Sequence, residues 1–130
     1  MFDRLRSVLE ADPRIAYAIL FGSRARGRAR ADSDTDVAIG LRPAVTLSAV
    51  QIGDLVSRLE AAAGTGVDIV ILDEARPGLA YRIFRDGTLL FVKDQHAFVD
   101  RKARAILEYL DFQPIEQILA GGALKAARIG

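Results

Sequence analysis

The chain has 130 residues, 51% of them apolar, and carries 18 Lys and Arg against 17 Asp and Glu for a net charge of +1. That is one domain's length with enough hydrocarbon for a core, which excludes a disordered chain and gives no global argument for nucleic acid. With no cysteine and one histidine, His96, disulfides, thiol catalysis and thiolate metal sites are removed, and a His-based zinc site or Ser-His-Asp triad is a poor fit.

The opening Met1-Phe2-Asp3-Arg4 alternates charge with apolar side chains, unlike a signal peptide. Phe2, Leu5, Val8 and Leu9 recur at helical spacing ahead of Asp12-Pro13, predicting a short amphipathic helix over residues 1–10. Ile15–Phe21 is an apolar run bounded by Pro13 and Gly22 and reads as a buried strand with Tyr17 in the core. Ser23–Asp34, rich in arginine and poor in large apolar side chains, reads as an exposed connection or a short solvated helix. Asp36–Leu41 then alternates, with Val37, Ile39 and Leu41 on one face and Asp34, Asp36 and Ala38 on the other, as a second strand requires.

Leu47, Val50, Leu55, Val56 and Leu59 form a helical stripe that begins near Thr46 and stops at Gly64. Val67–Leu72 is short and β-branched, a third strand. Pro77 opens another helix with Leu79, Ile83 and Phe84 inward, and Asp86-Gly87 turns the chain into a fourth strand, Thr88–Val92. Asp94 caps a C-terminal helix over about 94–112, with His96 at its surface. Its inward stripe is Val99, Ala103, Ile106 and Leu110, and Pro114 interrupts it ahead of a tail, 113–130. No apolar run approaches the roughly 20 residues of a membrane span, so the expectation is a soluble, cytoplasmic protein. The order predicts a single α/β (α+β) domain over 1–130, a small sheet covered by helices.

The chemistry concentrates between Gly22 and Asp36. Asp34 and Asp36 stand two apart in a strand, so their carboxylates project from one face within reach of one cation. A hard divalent ion such as Mg²⁺ suits them, since one or two carboxylates suffice when substrate phosphates and water complete the octahedron. Asp68 begins the third strand, and if it neighbours Asp36 the three acids could hold two metals roughly 3.5–4 Å apart, as in-line phosphoryl displacement uses. Asp73, just after that strand, is the other candidate for the third acid. Gly22-Ser23, directly after a buried strand, can turn backbone N–H groups and a hydroxyl toward phosphate oxygens. Arg24 and Arg26 lie nearest and can add forked donors; Arg28 and Arg30 are free to meet a partner or a nucleic acid. No aromatic residue interleaves with them, which makes nucleic acid a secondary candidate.

Gly22-Ser23, the spacer, Asp34-Thr35-Asp36 and the later Asp68 resemble the DNA polymerase beta-like nucleotidyltransferase superfamily. More narrowly, Gly22-Ser23-Arg24-Ala25-Arg26-Gly27, Ala29-Arg30 and Ser33-Asp34-Thr35-Asp36 look like minimal nucleotidyltransferases of the MntA type, antitoxins paired with HEPN-domain toxins. The likeness continues through Val67-Asp68-Ile69-Val70 and Tyr109-Leu110-Asp111-Phe112.

The resemblance implies a mixed sheet flanked by helices, two Mg²⁺ ions, and transfer of AMP from ATP to a tyrosine hydroxyl of a HEPN-type toxin with which the chain forms a hetero-oligomer. It implies that Gly22 and Ser23 hold the β and γ phosphates, that Asp34 and Asp36 bind the metals, and that Asp68 completes the site nearer the attacking oxygen. Two alternatives stand beside it: transfer to a small hydroxylated molecule such as an aminoglycoside, and a non-catalytic antitoxin that masks its partner by binding. Tyr109, Leu110 and Phe112 form either a docking patch or part of the core.

Overall fold

The computed structural model describes residues 2–22 and 34–121, from 112 onward by backbone alone. In chain order the elements are α1 (Asp3–Ala11), β1 (Ile15–Phe21), β2 (Thr35–Leu41), α2 (Ala49–Ala63), β3 (Val67–Ile71), a 3-10 turn (Leu72–Glu74), α3 (Pro77–Asp86), β4 (Thr88–Val92) and α4 (Gln95–Gly121).

Local signals set most boundaries. The Ser48 hydroxyl accepts from the Gln51 N–H while the Gln51 side chain accepts from the Ser48 N–H, a reciprocal cap that opens α2. Gly64, at φ 73°, closes α2 in the left-handed region. Pro77 occupies the first turn of α3, where its missing N–H costs nothing. The Asp94 carboxylate accepts from the Ala97 N–H at 3.0 Å and starts α4.

The sheet is mixed, in the order β3-β2-β1-β4. β1 is antiparallel to β2 and β4, while β2 and β3 are parallel and joined through α2. Both faces are covered. One packs Val37, Ile39, Leu41, Val67 and Ile71 against Leu5 and Leu9 of α1 and Leu55 and Leu59 of α2. The other packs Ile19 and Ala38 against Ala80 and Ile83 of α3 and Ala105 of α4. On that second face the Tyr17 ring is pinned between Phe98, edge-on at 5.2 Å, and the bare backbone of Gly40. Ala38 is therefore as buried as Val37, because β2 is covered on both sides.

Three expectations are corrected. Val50 is 83% exposed; the inner stripe of α2 is Ile52, Leu55 and Leu59 instead. In α4 the inward side is Ala97, Phe98, Arg101 and Ala105, while Val99, Ile106 and Leu110 face solvent. Two stripes of this helix share helical spacing, and the aromatic one wins by packing on Tyr17 and Phe84. Arg101 follows it inside because its Nε donates to the Leu72 carbonyl at 3.0 Å and its guanidinium meets Glu108 at 3.2 Å. Finally, α4 does not end near 112 but runs through Pro114 to Gly121. A proline removes one N–H donor and kinks a helix without having to stop it.

Tyr109 stacks on Tyr81 of α3 with centroids 4.1 Å apart, so it joins two helices rather than an open patch. Among the described residues no helix is long and apolar enough to cross a membrane.

Candidate active site

The end of β1 and the starts of β2, β3 and β4 lie at one edge of the sheet, because β1 alone runs opposite to the other three. Register there decides the chemistry. Asp36 pairs with Phe21 of β1 on one side and with Asp68 of β3 on the other. The strand pleat puts Asp36 and Asp68 on the face of Ala38 and Val70, opposite the aliphatic layer of Val37 and Ile69. Asp34 is two residues before Asp36, and the intervening Thr35 N–H donates to the Gly66 carbonyl at 2.8 Å, which holds the start of β2 to the approach of β3.

Glycines make room for the carboxylates. Gly22 has φ 80°, and a side chain there would collide with the Asp36 carboxylate; one at Gly66 would collide with that of Asp34. Asp34 and Asp68 are exposed and Asp36 is half-buried. Burial pushes the Asp36 carboxyl above the usual carboxylate range, and the neighbouring charges of Asp68 and Asp34 push it further. Asp68 and Asp34 each lie within electrostatic reach of Asp36.

Asp73, the other candidate for the third acid, lies elsewhere. It lines a cavity of about 690 Å³ with Tyr17, Arg101 and Arg104, while Asp68 occupies the register row of Asp36. Ser23, Arg24, Arg26, Arg28 and Arg30 lie outside the described residues.

A second cavity, of about 310 Å³, opens beside Gly22 and is bounded by Phe21, Leu79, Arg82, Arg85 and Asp86. Neither arginine stood out in the sequence, because both fall on the polar side of an ordinary amphipathic helix. Only the chain reversal at Gly87 brings α3 back over the end of β1.

Among the described residues, no group of three or more His, Cys, Asp or Glu is arranged to hold a metal ion by itself. The donor type is nonetheless one that Mg²⁺ takes: hard carboxylate oxygens of Asp36 and Asp68 on two neighbouring strands, a number that suffices where phosphate and water supply the remaining ligands.

The model of the polymerase beta nucleotidyltransferase domain matches residues 3–96. The chain belongs to that family. No curated protein matches its sequence significantly. Among solved structures, the chain is similar to a toxin-antitoxin crystallised with AMP-PNP, at 25% identity and TM-score 0.78, covering 92% of this chain and 94% of the other. It is similar in fold to a chain of a complex between a tri-AMPylated HEPN toxin and its MNT antitoxin from Shewanella oneidensis, at 23% identity and TM-score 0.73, covering 93% and 97%. A chain assigned as a minimal nucleotidyltransferase is 34% identical over 65% of this chain and 86% of its own, at TM-score 0.54. The matched span of the nucleotidyltransferase domain contains β1 to β4 and with them Gly22, Asp34, Asp36 and Asp68.

Proposed function

We propose that this nucleotidyltransferase moves AMP from ATP to a hydroxyl of a HEPN-type toxin, a tyrosine in the first instance, and so serves as that toxin's antitoxin. Membership of the family supports nucleotidyl transfer. The similar toxin-antitoxin with AMP-PNP supports ATP as the donor, and the complex with a tri-AMPylated HEPN toxin supports a protein acceptor. The observation that carries the reading is the pairing of Asp36 with Asp68 on neighbouring strands, with Asp34 beside them and Gly22 against Asp36.

In this reading Asp34, Asp36 and Asp68 would hold Mg²⁺. When bound, the metal neutralises phosphate charge and lowers the pKa of an attacking hydroxyl. Gly22 lets a phosphate approach the backbone, and Ser23, Arg24 and Arg26 supply a hydroxyl and forked donors to the triphosphate. The acceptor oxygen forms a bond to the α-phosphorus as the bond to pyrophosphate breaks, and Asp68 takes the hydroxyl proton. Asp68 suits proton removal because it is exposed on β3, an edge strand, where a large acceptor can approach from outside the sheet. Catalysis is then mainly positioning and charge neutralisation, which suits a chain with one histidine and no cysteine.

The test is incubation with labelled ATP, Mg²⁺ and a HEPN protein encoded beside this chain. Label should appear on that protein and disappear with Asp36→Asn. Binding of ATP with no label transferred to the HEPN protein overturns the antitoxin assignment.

A further inference from the structure

The row of residues crossing the sheet from Asp68 through Asp36 to Phe21 is followed by Gly22, which lies against the Asp36 carboxylate and lines the cavity under α3 with Phe21. The two ends of that line differ in charge. Carboxylates occupy the β3 side, while the far side of Gly22 carries Arg82 and Arg85 together with Asp86, whose charge Arg85 offsets.

The two arginines are differently committed. Arg85 holds Asp86 through two hydrogen bonds of 2.9 Å, and its guanidinium lies 5.4 Å from the centre of the Tyr81 ring. Arg82 is exposed; its Nε donates to the Gly78 carbonyl one turn earlier at 3.3 Å. Among the described residues it has no ion pair, and its bond to Gly78 uses Nε rather than the two terminal amino groups. It is a cation tethered at the neck on the wall of the cavity that Gly22 also lines, and Gly22 in turn lies against the Asp36 carboxylate.

In-line displacement sets the direction of a bound triphosphate. The attacking hydroxyl and the leaving pyrophosphate stand on opposite sides of the α-phosphorus. With the α-phosphorus at the acids and the acceptor on the open β3 side, the β and γ phosphates must run away from Asp68. That path crosses Gly22, the position with no side chain to block it, and reaches Arg82. We propose that Arg82 is a phosphate-binding residue that holds the β and γ phosphates of the nucleotide. The assignment rests on the nucleotidyl-transfer reading above and adds a donor from α3, remote in sequence from the Gly-Ser turn.

Binding of ATP, AMP and inorganic pyrophosphate to the full chain in the presence of Mg²⁺ tests it, with Arg82→Ala and Arg82→Lys compared with the unaltered protein. Arg82→Ala should weaken ATP and pyrophosphate by about tenfold, the loss of one charge-assisted hydrogen-bonding group. AMP should bind as before, since it lacks the phosphates concerned. Arg82→Lys should recover part of the loss as a point charge without the fork. Unchanged ATP affinity in Arg82→Ala overturns the assignment, as does an equal loss of AMP and ATP, which would mark general damage. If the unaltered protein binds no ATP, the nucleotidyl-transfer reading itself falls, and Arg82's role with it.

Discussion

The two ends of β1 each hold a carboxylate away from bulk water, and the protein treats them in opposite ways. Before the strand, Asp12 is 6% exposed and fully partnered: its oxygens accept from the Arg14 Nε at 2.9 Å and terminal nitrogen at 2.7 Å, and from the Arg14 backbone N–H. Lys93 adds a bond of 2.7 Å to the Asp12 carbonyl, clasping the turn to the end of β4. The Arg14 guanidinium holds the Asp12 carboxyl below its usual range, although burial pulls the other way. Beyond the strand, Asp36 is met by Asp68 and Asp34, and its carboxyl is pushed up. A buried acid that serves the fold brings its cation within the chain. An acid kept among other acids is the arrangement that the proposed metal and nucleotide site calls for.

Substitutions at the two ends should separate activity from stability. The largest effect is expected on the acid row. Asp36→Asn or Asp68→Asn should lower the rate of AMP transfer by roughly 10²–10³-fold or more, whereas Asp73→Asn should leave it nearly unchanged. Initial rates with labelled ATP check this, and equal losses at Asp68 and Asp73 would break the assignment of the third acid. Gly22→Ala forces a left-handed φ on a side chain and pushes on the Asp36 carboxylate. It should cost about 1–2 kcal/mol of stability together with most of the transfer rate, read from urea unfolding and the same assay.

Asp12→Ala should do the reverse of the acid-row changes. It should cost about 2 kcal/mol in urea unfolding, since it strands the half-buried Arg14 guanidinium, and leave ATP affinity intact. Impaired nucleotide binding in that variant would mean that the two ends of β1 are not independent.

The acid dependence of stability sharpens the same contrast. Asp12 has a lowered folded pKa, so its contribution is present above the ordinary value of 3.8 and is lost as pH falls through the folded value. Asp36 has a raised one, so its contribution is full below 3.8 and is lost as pH rises through the folded value. Melting temperatures measured across the acid range should therefore show Asp12→Ala flattening the acid limb. Asp36→Asn should gain on the unaltered protein as pH rises toward neutrality. The smallest effect is expected far from either end: Val50→Ser, on the solvent side of α2, should stay within about 0.5 kcal/mol.

What was legible in the residues was whatever short-range geometry dictates. Asp34 and Asp36 fall on one face because a strand has period two, and Gly64 and Pro77 punctuate helices through their own dihedral limits; nucleotidyl transfer came from the resemblance carried by Gly22-Ser23 and the acids that follow. Competition between alternatives was not legible locally. In α4 the stripe of Val99, Ile106 and Leu110 is as periodic as that of Phe98, Arg101 and Ala105, and only packing against Tyr17 and the Leu72 carbonyl selects the second.

The same limit applies to the site. Which of Asp68 and Asp73 stands beside Asp36 depends on the pairing of β3 with β2, residues more than thirty apart in sequence. Arg82 acquires its place only because α3 folds back over the end of β1. Sequence by itself determined the elements and the acid pair, since these follow from neighbours along the chain, and its resemblance to a known family added the class of chemistry. Tertiary structure alone decided which acid stands beside Asp36, the buried side of α4 and the place of Arg82 near Gly22, because strand register and helix docking are set by contacts between distant segments.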